Sequence, residues 1–148
     1  MTRADDNGVG PCIDERAAIG NRAHAAVGVS IHADGGPVTG RGFHVISPPS
    51  IPNVTAPIAA DSLRLALDLR AAYRQGTGMP YASYVGKGDA LSQRSDLGGL
   101  NLSTIPKVFI ETGNMQNATD AALLESPAFR AQAATAIATG IAASLAGR

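Results

Sequence analysis

The sequence predicts an α/β domain in which helices cover a sheet. Short apolar runs bounded by Gly, Pro and polar residues are typical of buried strands. Three such runs occur, one leading into His32, one ending at Ser47 and one leading into Glu111. Segments whose apolar residues follow helical spacing alternate with these runs, which is the pattern of a layered α/β sandwich.

The composition predicts one domain without a nucleic-acid partner. At 148 residues the chain has the length of a single domain, which we place at 1–148. Hydrophobic residues make up 45% and aromatic residues 4%, so the core must be built from Ala, Val, Ile and Leu. The 12 basic and 12 acidic residues cancel, which argues against nucleic-acid binding. No apolar run approaches the ~20 residues of a membrane span, and no signal peptide is visible.

The first part of the chain is predicted to hold one helix and two strands. An Ala-rich helix over 14–26 has acidic residues in its first turn, which suit the positive end of the helix dipole. A strand over 27–31 leads into His32, and a second strand covers 42–47 after a Gly-rich turn.

The middle of the chain is predicted to form a long helix and a loop. A Pro-rich segment over 48–52 interrupts regular structure. Apolar spacing predicts a helix over 58–73, closed by Gly76 and Gly78. Residues 76–95 are rich in Gly and Ser and are predicted to be a loop that could flank a site.

The last third is predicted to hold a strand and two helices. The strand covers 107–111, and Asn117 is placed to cap the helix that follows it. Ser126 is placed to cap the last helix, in which Pro127 takes the first position. One apolar stripe is expected on this helix, formed by Phe129, Ala133, Ile137, Ile141 and Leu145.

His32 and Glu111 are the candidate functional residues because each follows a buried strand. Ligands of α/β sheets bind beyond the carboxyl ends of the strands. An imidazole and a carboxylate at that edge suit a metal-assisted hydrolase, in which a desolvated Glu acts as general base. Two alternatives stay open: a turn histidine bonded to backbone at position 32, and a salt bridge from Glu111 to Arg94 or Arg41. No further ligand spacing is visible in the sequence.

Two segments resemble the zinc-dependent N-acetylmuramoyl-L-alanine amidases of the amidase-3 type. Residues 29–34 resemble the signature that ends in a zinc-binding His, and residues 106–117 resemble the segment that carries the catalytic Glu. Residues 10–16 are most similar to the single-domain actinobacterial branch. Further positions fit the same family: Arg3, Asp6, Arg16, Asn21, Arg94, Leu97, Leu100 and Gly140.

The resemblance implies a fold, a reaction and two site residues. The fold would be a mixed, mostly parallel sheet flanked by helices. The enzyme would cleave the amide between N-acetylmuramic acid and L-alanine in peptidoglycan or muropeptides, in the cell wall or periplasm. His32 would bind Zn and Glu111 would be the general base. Three residues near the two motifs are candidates for binding the stem peptide: His44, Arg41 and Asn114.

The resemblance also implies that the family's domain is only partly represented. The strand and helix that supply the other zinc ligands have no match here, so we expect an N-terminally incomplete domain that is weak or inactive alone. Its sheet would expose an edge and self-associate. The alternatives are a non-catalytic remnant that binds peptidoglycan or a partner, and a second chain that completes the metal shell. Cys12 would then have lost its partner.

Overall fold

The structure is a computed structural model that describes residues 10–147. Within this range the chain forms five α-helices and four β-strands, with a short 3-10 turn at Gly86–Gly88. In chain order the elements are α1 Ile13–Arg22, β1 Gly28–Asp34, β2 His44–Ser47, α2 Ala56–Thr77, β3 Leu91–Gln93, α3 Gly98–Asn101, β4 Lys107–Asn114, α4 Ala118–Glu125 and α5 Pro127–Ala146.

The four strands form one mixed sheet in the order β1-β4-β2-β3. β1 pairs with β4 in parallel and β2 pairs with β3 in parallel, while β2 and β4 are antiparallel. Parallel pairing therefore predominates, and helices cover the sheet. This confirms the predicted α/β fold with a mixed, mostly parallel sheet.

The main core lies between one face of the sheet and the helix pair α2 and α5. Close contact between the two helices depends on Gly140, because a Cβ there would lie 2.8 Å from the Cα of Leu69. The Tyr73 hydroxyl donates a hydrogen bond of 3.0 Å to the Thr112 carbonyl, which ties α2 to β4. The core cluster consists of Phe43, Val45, Leu65, Ala66, Leu69, Tyr73, Met79, Val108, Ile110, Phe129, Ala133, Ala136 and Ile137.

The opposite face of the sheet is polar and is partly covered by α1 and α3. Successive side chains of a strand point to opposite faces. Because Val108 and Ile110 belong to the core, Lys107, Phe109 and Glu111 point to the other face. This alternation places the reactive side chains on the face away from α2 and α5.

Two predicted helices keep their place but change their bounds. α1 ends at Arg22, short of the predicted residue 26, because His24 takes a left-handed conformation with φ 45°. α2 extends over Ala56–Thr77, beyond the predicted 58–73, and Gly76 lies inside it. Gly78 alone provides the left-handed cap, with φ 69°.

The predicted loop over 76–95 is wrong in one part, because it contains β3. This strand has only three residues and is partly exposed, so it carries no apolar pattern. It pairs with β2, with Val45 opposite Leu91. The short helix α3 was likewise absent from the prediction.

The caps predicted for the last two helices are confirmed. The Asn117 side chain accepts hydrogen bonds from the backbone N–H groups of Thr119 and Asp120. The Ser126 side chain accepts one from the N–H of Phe129. None of the helices within residues 10–147 is both long and apolar enough to cross a membrane.

Candidate active site

His32, Glu111 and His44 lie in one row across three neighbouring strands. In the strand pairing, Glu111 is opposite His32 of β1 and opposite His44 of β2. Side chains at directly opposite positions of paired strands share a face of the sheet. The structure therefore brings the two predicted site residues together, at the polar face, and adds His44 to them.

Glu111 is half-buried and has an unpaired oxygen. Its Oε2 atom is buried and finds no hydrogen-bond partner among the described residues. Burial, and after it the nearby charge of Asp34, raises the pKa of Glu111 to about 7, while the charge of Arg94 acts in the opposite direction. A carboxyl group with a pKa near neutrality suits a general base.

The alternative salt bridges of Glu111 are not formed. Arg94 pairs with Asp96, with Nη2 and Oδ2 2.6 Å apart. Arg41 pairs with the buried Asp120 through its Nε atom at 3.1 Å. Both predicted partners of Glu111 are thus bonded to other carboxylates.

His32 lies within β1, beside a phenylalanine of the neighbouring strand β4. Its ring stacks on Phe109 with centroids 4.9 Å apart and an interplanar angle of 13°. The strand continues to Asp34, so the prediction that it ends at residue 31, with His32 following it before a turn, is wrong. Burial lowers the pKa of His32, and the charges of Arg16 and Lys107 lower it further. The imidazole is therefore neutral near pH 7, which is the form that binds metals.

His44 and Tyr84 form a second, buried part of the site. His44 is 4% exposed, and its Nδ1 atom has no partner within the described part of the chain. The Tyr84 ring lies nearly perpendicular to the His44 ring, with centroids 6.4 Å apart. Burial lowers the pKa of His44 and raises that of the Tyr84 hydroxyl.

Sequence reasoning missed Tyr84, which lies in an irregular segment. The sequence indicates the position of Tyr84 only indirectly, through the glycines of the turn after β1. A Cβ at Gly36 would come within 2.5 Å of the Tyr84 ring, and one at Gly40 would overlap the same ring. The Gly-rich turn after β1 therefore leaves the space that Tyr84 fills.

Arg41 and Asn114 hold the segment between β1 and β2 in place. Asn114 is fully buried, and its side-chain amide donates hydrogen bonds to the carbonyls of Pro37 and Gly40. The Asp120 carboxylate accepts hydrogen bonds from the side chain of Arg41 at 3.1 Å and from the N–H of Asn114 at 3.2 Å. These contacts occupy the Asn114 amide and hold the segment that leads to His44.

The described residues do not complete a zinc site. A catalytic zinc has three protein ligands and a water. Within residues 10–147, no group of three His, Cys, Asp or Glu side chains is placed to hold a metal ion. His32 and His44 offer two imidazoles in the same row, both with lowered pKa values, which is fewer than the three ligands required. The group that the resemblance implies therefore does not fit this part of the chain as a complete centre.

Comparisons with known proteins agree with the fold and identify the family. A family model described as N-acetylmuramoyl-L-alanine amidase (Amidase_3) matches residues 1–143. The N-acetylmuramoyl-L-alanine amidase Rv3717 of Mycobacterium tuberculosis (strain ATCC 25618 / H37Rv) is 45% identical over 146 residues. This match covers 99% of the chain but 59% of the relative, so the chain spans less than two thirds of that curated relative's length.

Solved structures of amidases superpose closely on the whole chain. The N-acetylmuramyl-L-alanine amidase Ami1 from Mycobacterium smegmatis is 46% identical with a TM-score of 0.91, over 100% of this chain and 67% of that one. The apo form of Ami1 from Mycobacterium abscessus is 47% identical with a TM-score of 0.89, over 98% and 66%. Together with the family match, this similarity shows that the chain belongs to the Amidase_3 family of N-acetylmuramoyl-L-alanine amidases.

Proposed function

We propose that the site at Glu111 hydrolyses the amide bond between N-acetylmuramic acid and the L-alanine of the peptidoglycan stem. The observation that carries this proposal is the half-buried, unpartnered carboxyl of Glu111, whose pKa is raised to about 7 and which lies beside His32. Family membership supports the reaction class. Peptidoglycan or muropeptides would be the substrate, and the cell wall or periplasm the place of action.

Glu111 would carry the proton in this reaction. As a base it takes a proton from the attacking water, whose oxygen bonds to the amide carbonyl carbon. The protonated carboxyl then gives the proton to the nitrogen as the C–N bond breaks. The products are the lactyl carboxylic acid and the free amine of L-alanine. A pKa of about 7 lets one carboxyl perform both transfers near neutral pH.

His32 is the residue of this chain that we propose as a zinc ligand. Its half-buried imidazole, whose pKa is lowered, and the stacked Phe109 ring support that role. One histidine does not make a catalytic zinc site, and the part of the chain that is described brings no group of three ligands together. The proton transfers above are therefore described for Glu111 alone.

Residues 10–147 bring no three metal ligands together, and this favours a second candidate function, which is binding of peptidoglycan without hydrolysis. A protein of this kind would retain the polar face of the sheet and bind muropeptides equally well with and without a chelator. The Glu111 carboxyl would not be needed for such binding.

One experiment separates the two functions. The chain is incubated with a purified muropeptide, with added zinc or with chelator, and the free stem peptide is followed by mass spectrometry. Because the described residues do not complete a zinc site, we expect only weak release with zinc. This release should be lost in Glu111→Gln and kept in Glu125→Gln, which neutralises an exposed carboxylate on α4. Chelator-insensitive binding without release would support the second function. Neither binding nor release would contradict both.

A further inference from the structure

A cavity of about 310 Å³ adjoins His32 on the polar face of the sheet. α1 and α3 form one side of it, and β1 and β4 form the other. Its volume is within the range of small-ligand sites. Its wall is mainly apolar, and the side chains that matter for binding are Ile13, Arg16, Ser30, His32, Lys107 and Phe109.

Lys107 is a buried cation inside this cavity. Only 7% of its surface is exposed. Its stem lies across β1, where a Cβ at Gly28 would be 3.3 Å from the Lys107 Cγ atom. No carboxylate among residues 10–147 lies within salt-bridge distance of its ammonium group. A buried ammonium without a counter-ion is costly, so an anion bound here would be stabilised.

The other charged groups of the cavity leave it with an excess of positive charge. Arg16 lies at the exposed rim, and its Nε atom donates a hydrogen bond of 2.6 Å to the Pro11 carbonyl. The charge of Arg16 lowers the pKa of Lys107, in addition to the larger effect of burial. Asp96 is the one acidic residue in the lining, and it is already paired with Arg94 through two hydrogen bonds of 2.9 and 2.6 Å. The cavity therefore has two cations and no free acid.

We infer that this cavity binds a carboxylate on a short aliphatic chain, with Lys107 inside and Arg16 at the rim as its cationic partners. The inference rests on the proposed function for the identity of the ligand. Because His32 borders both the cavity and the Glu111 row, a substrate cleaved there extends its neighbouring residues into the cavity. In a peptidoglycan stem the residue after L-alanine is acidic, and its methylene groups suit the apolar wall beside Phe109.

The experiment uses a probe that lacks the scissile amide. Binding of N-acetyl-L-alanyl-D-glutamate to the 148-residue protein is measured by calorimetry and compared with its uncharged diamide. We expect the dicarboxylate to bind at least ~10-fold more tightly than the diamide, since hydrogen bonds between charged groups are stronger than neutral ones. Lys107→Met, which keeps the stem, should remove most of that difference and leave diamide binding unchanged.

Two further variants keep the test interpretable. Arg16→Gln changes an exposed rim residue and should weaken dicarboxylate binding severalfold even if Lys107→Met does not fold. Lys87→Met removes an exposed cation outside the cavity and should change nothing. Equal affinity for the two probes, or unchanged affinity in Arg16→Gln and Lys107→Met, would overturn the inference and leave the proposed hydrolysis untouched. Charge-dependent binding without muropeptide cleavage would support the cavity and contradict the proposed hydrolysis.

Discussion

The carboxyl group of Glu111 makes the free energy of unfolding depend on pH. Its pKa rises from an ordinary 4.5 to about 7 on folding. Between these two values the folded protein holds more protons at this site than the unfolded chain does, so stability falls as pH rises through this range. The protein would be less stable at neutral pH than at mildly acidic pH because of this one residue.

We therefore expect Glu111→Gln to stabilise the protein at about pH 8 and to have much less effect at about pH 5, where the wild-type carboxyl is protonated when folded. The gain at high pH should be about 1–2 kcal/mol, because the side chain is half-exposed and solvent screens part of the shift. Urea denaturation of both proteins at the two pH values measures it. The same difference at both values would contradict the raised pKa. Glu125→Gln, an exposed carboxylate, is the control.

At the scale of elements, the helix pair α2 and α5 depends on one small residue. Gly140 lets α5 approach α2, since a Cβ would lie 2.8 Å from a backbone atom of Leu69. We expect Gly140→Ala to lower the free energy of unfolding by about 1–3 kcal/mol, although Ala favours a helix. Thermal unfolding measures the change.

Gly20→Ala is the matched helical control for that substitution. Its Cβ would meet only the end of the Ile105 side chain, at 3.1 Å, which can move. Ala also has the higher helix propensity, so stability should stay equal or rise slightly. Equal losses in both variants would show that contact with α2 is not what makes Gly140 necessary.

The elements also show what could be predicted from sequence. The position of α5 can be predicted from its N-terminal cap and from Phe129, Ala133 and Ile137, which are buried as expected, whereas Leu145 of the predicted stripe is 39% exposed. β3 was missed because three partly exposed residues carry no pattern. His32 and Glu111 could be found because each follows an apolar run. The pairing of His44 with Glu111 and the position of Tyr84 depend on long-range contacts, which a local pattern does not encode.

At the scale of the whole molecule, the sheet is open along β1. Within the described residues, β1 pairs only with β4, so its other side presents unpaired backbone groups. Ile31 in this strand is 61% exposed, although it is opposite the core residue Ile110. An unpaired strand edge with an exposed apolar side chain promotes association between chains. The edge of β1 is therefore the surface through which we expect the predicted self-association to occur.

We expect the average mass of the protein, measured by sedimentation equilibrium, to increase with concentration. Ile31→Lys should shift it toward the monomer, because a charge on an edge strand opposes pairing with another strand. Val38→Lys makes the same change at a side chain that is 66% exposed and lies outside β1, and it should have little effect. A monomer at all concentrations, or equal effects of the two lysines, would contradict association through β1. Association reduced only by Ile31→Lys would identify this edge as the surface through which a second copy reaches the strand that carries His32.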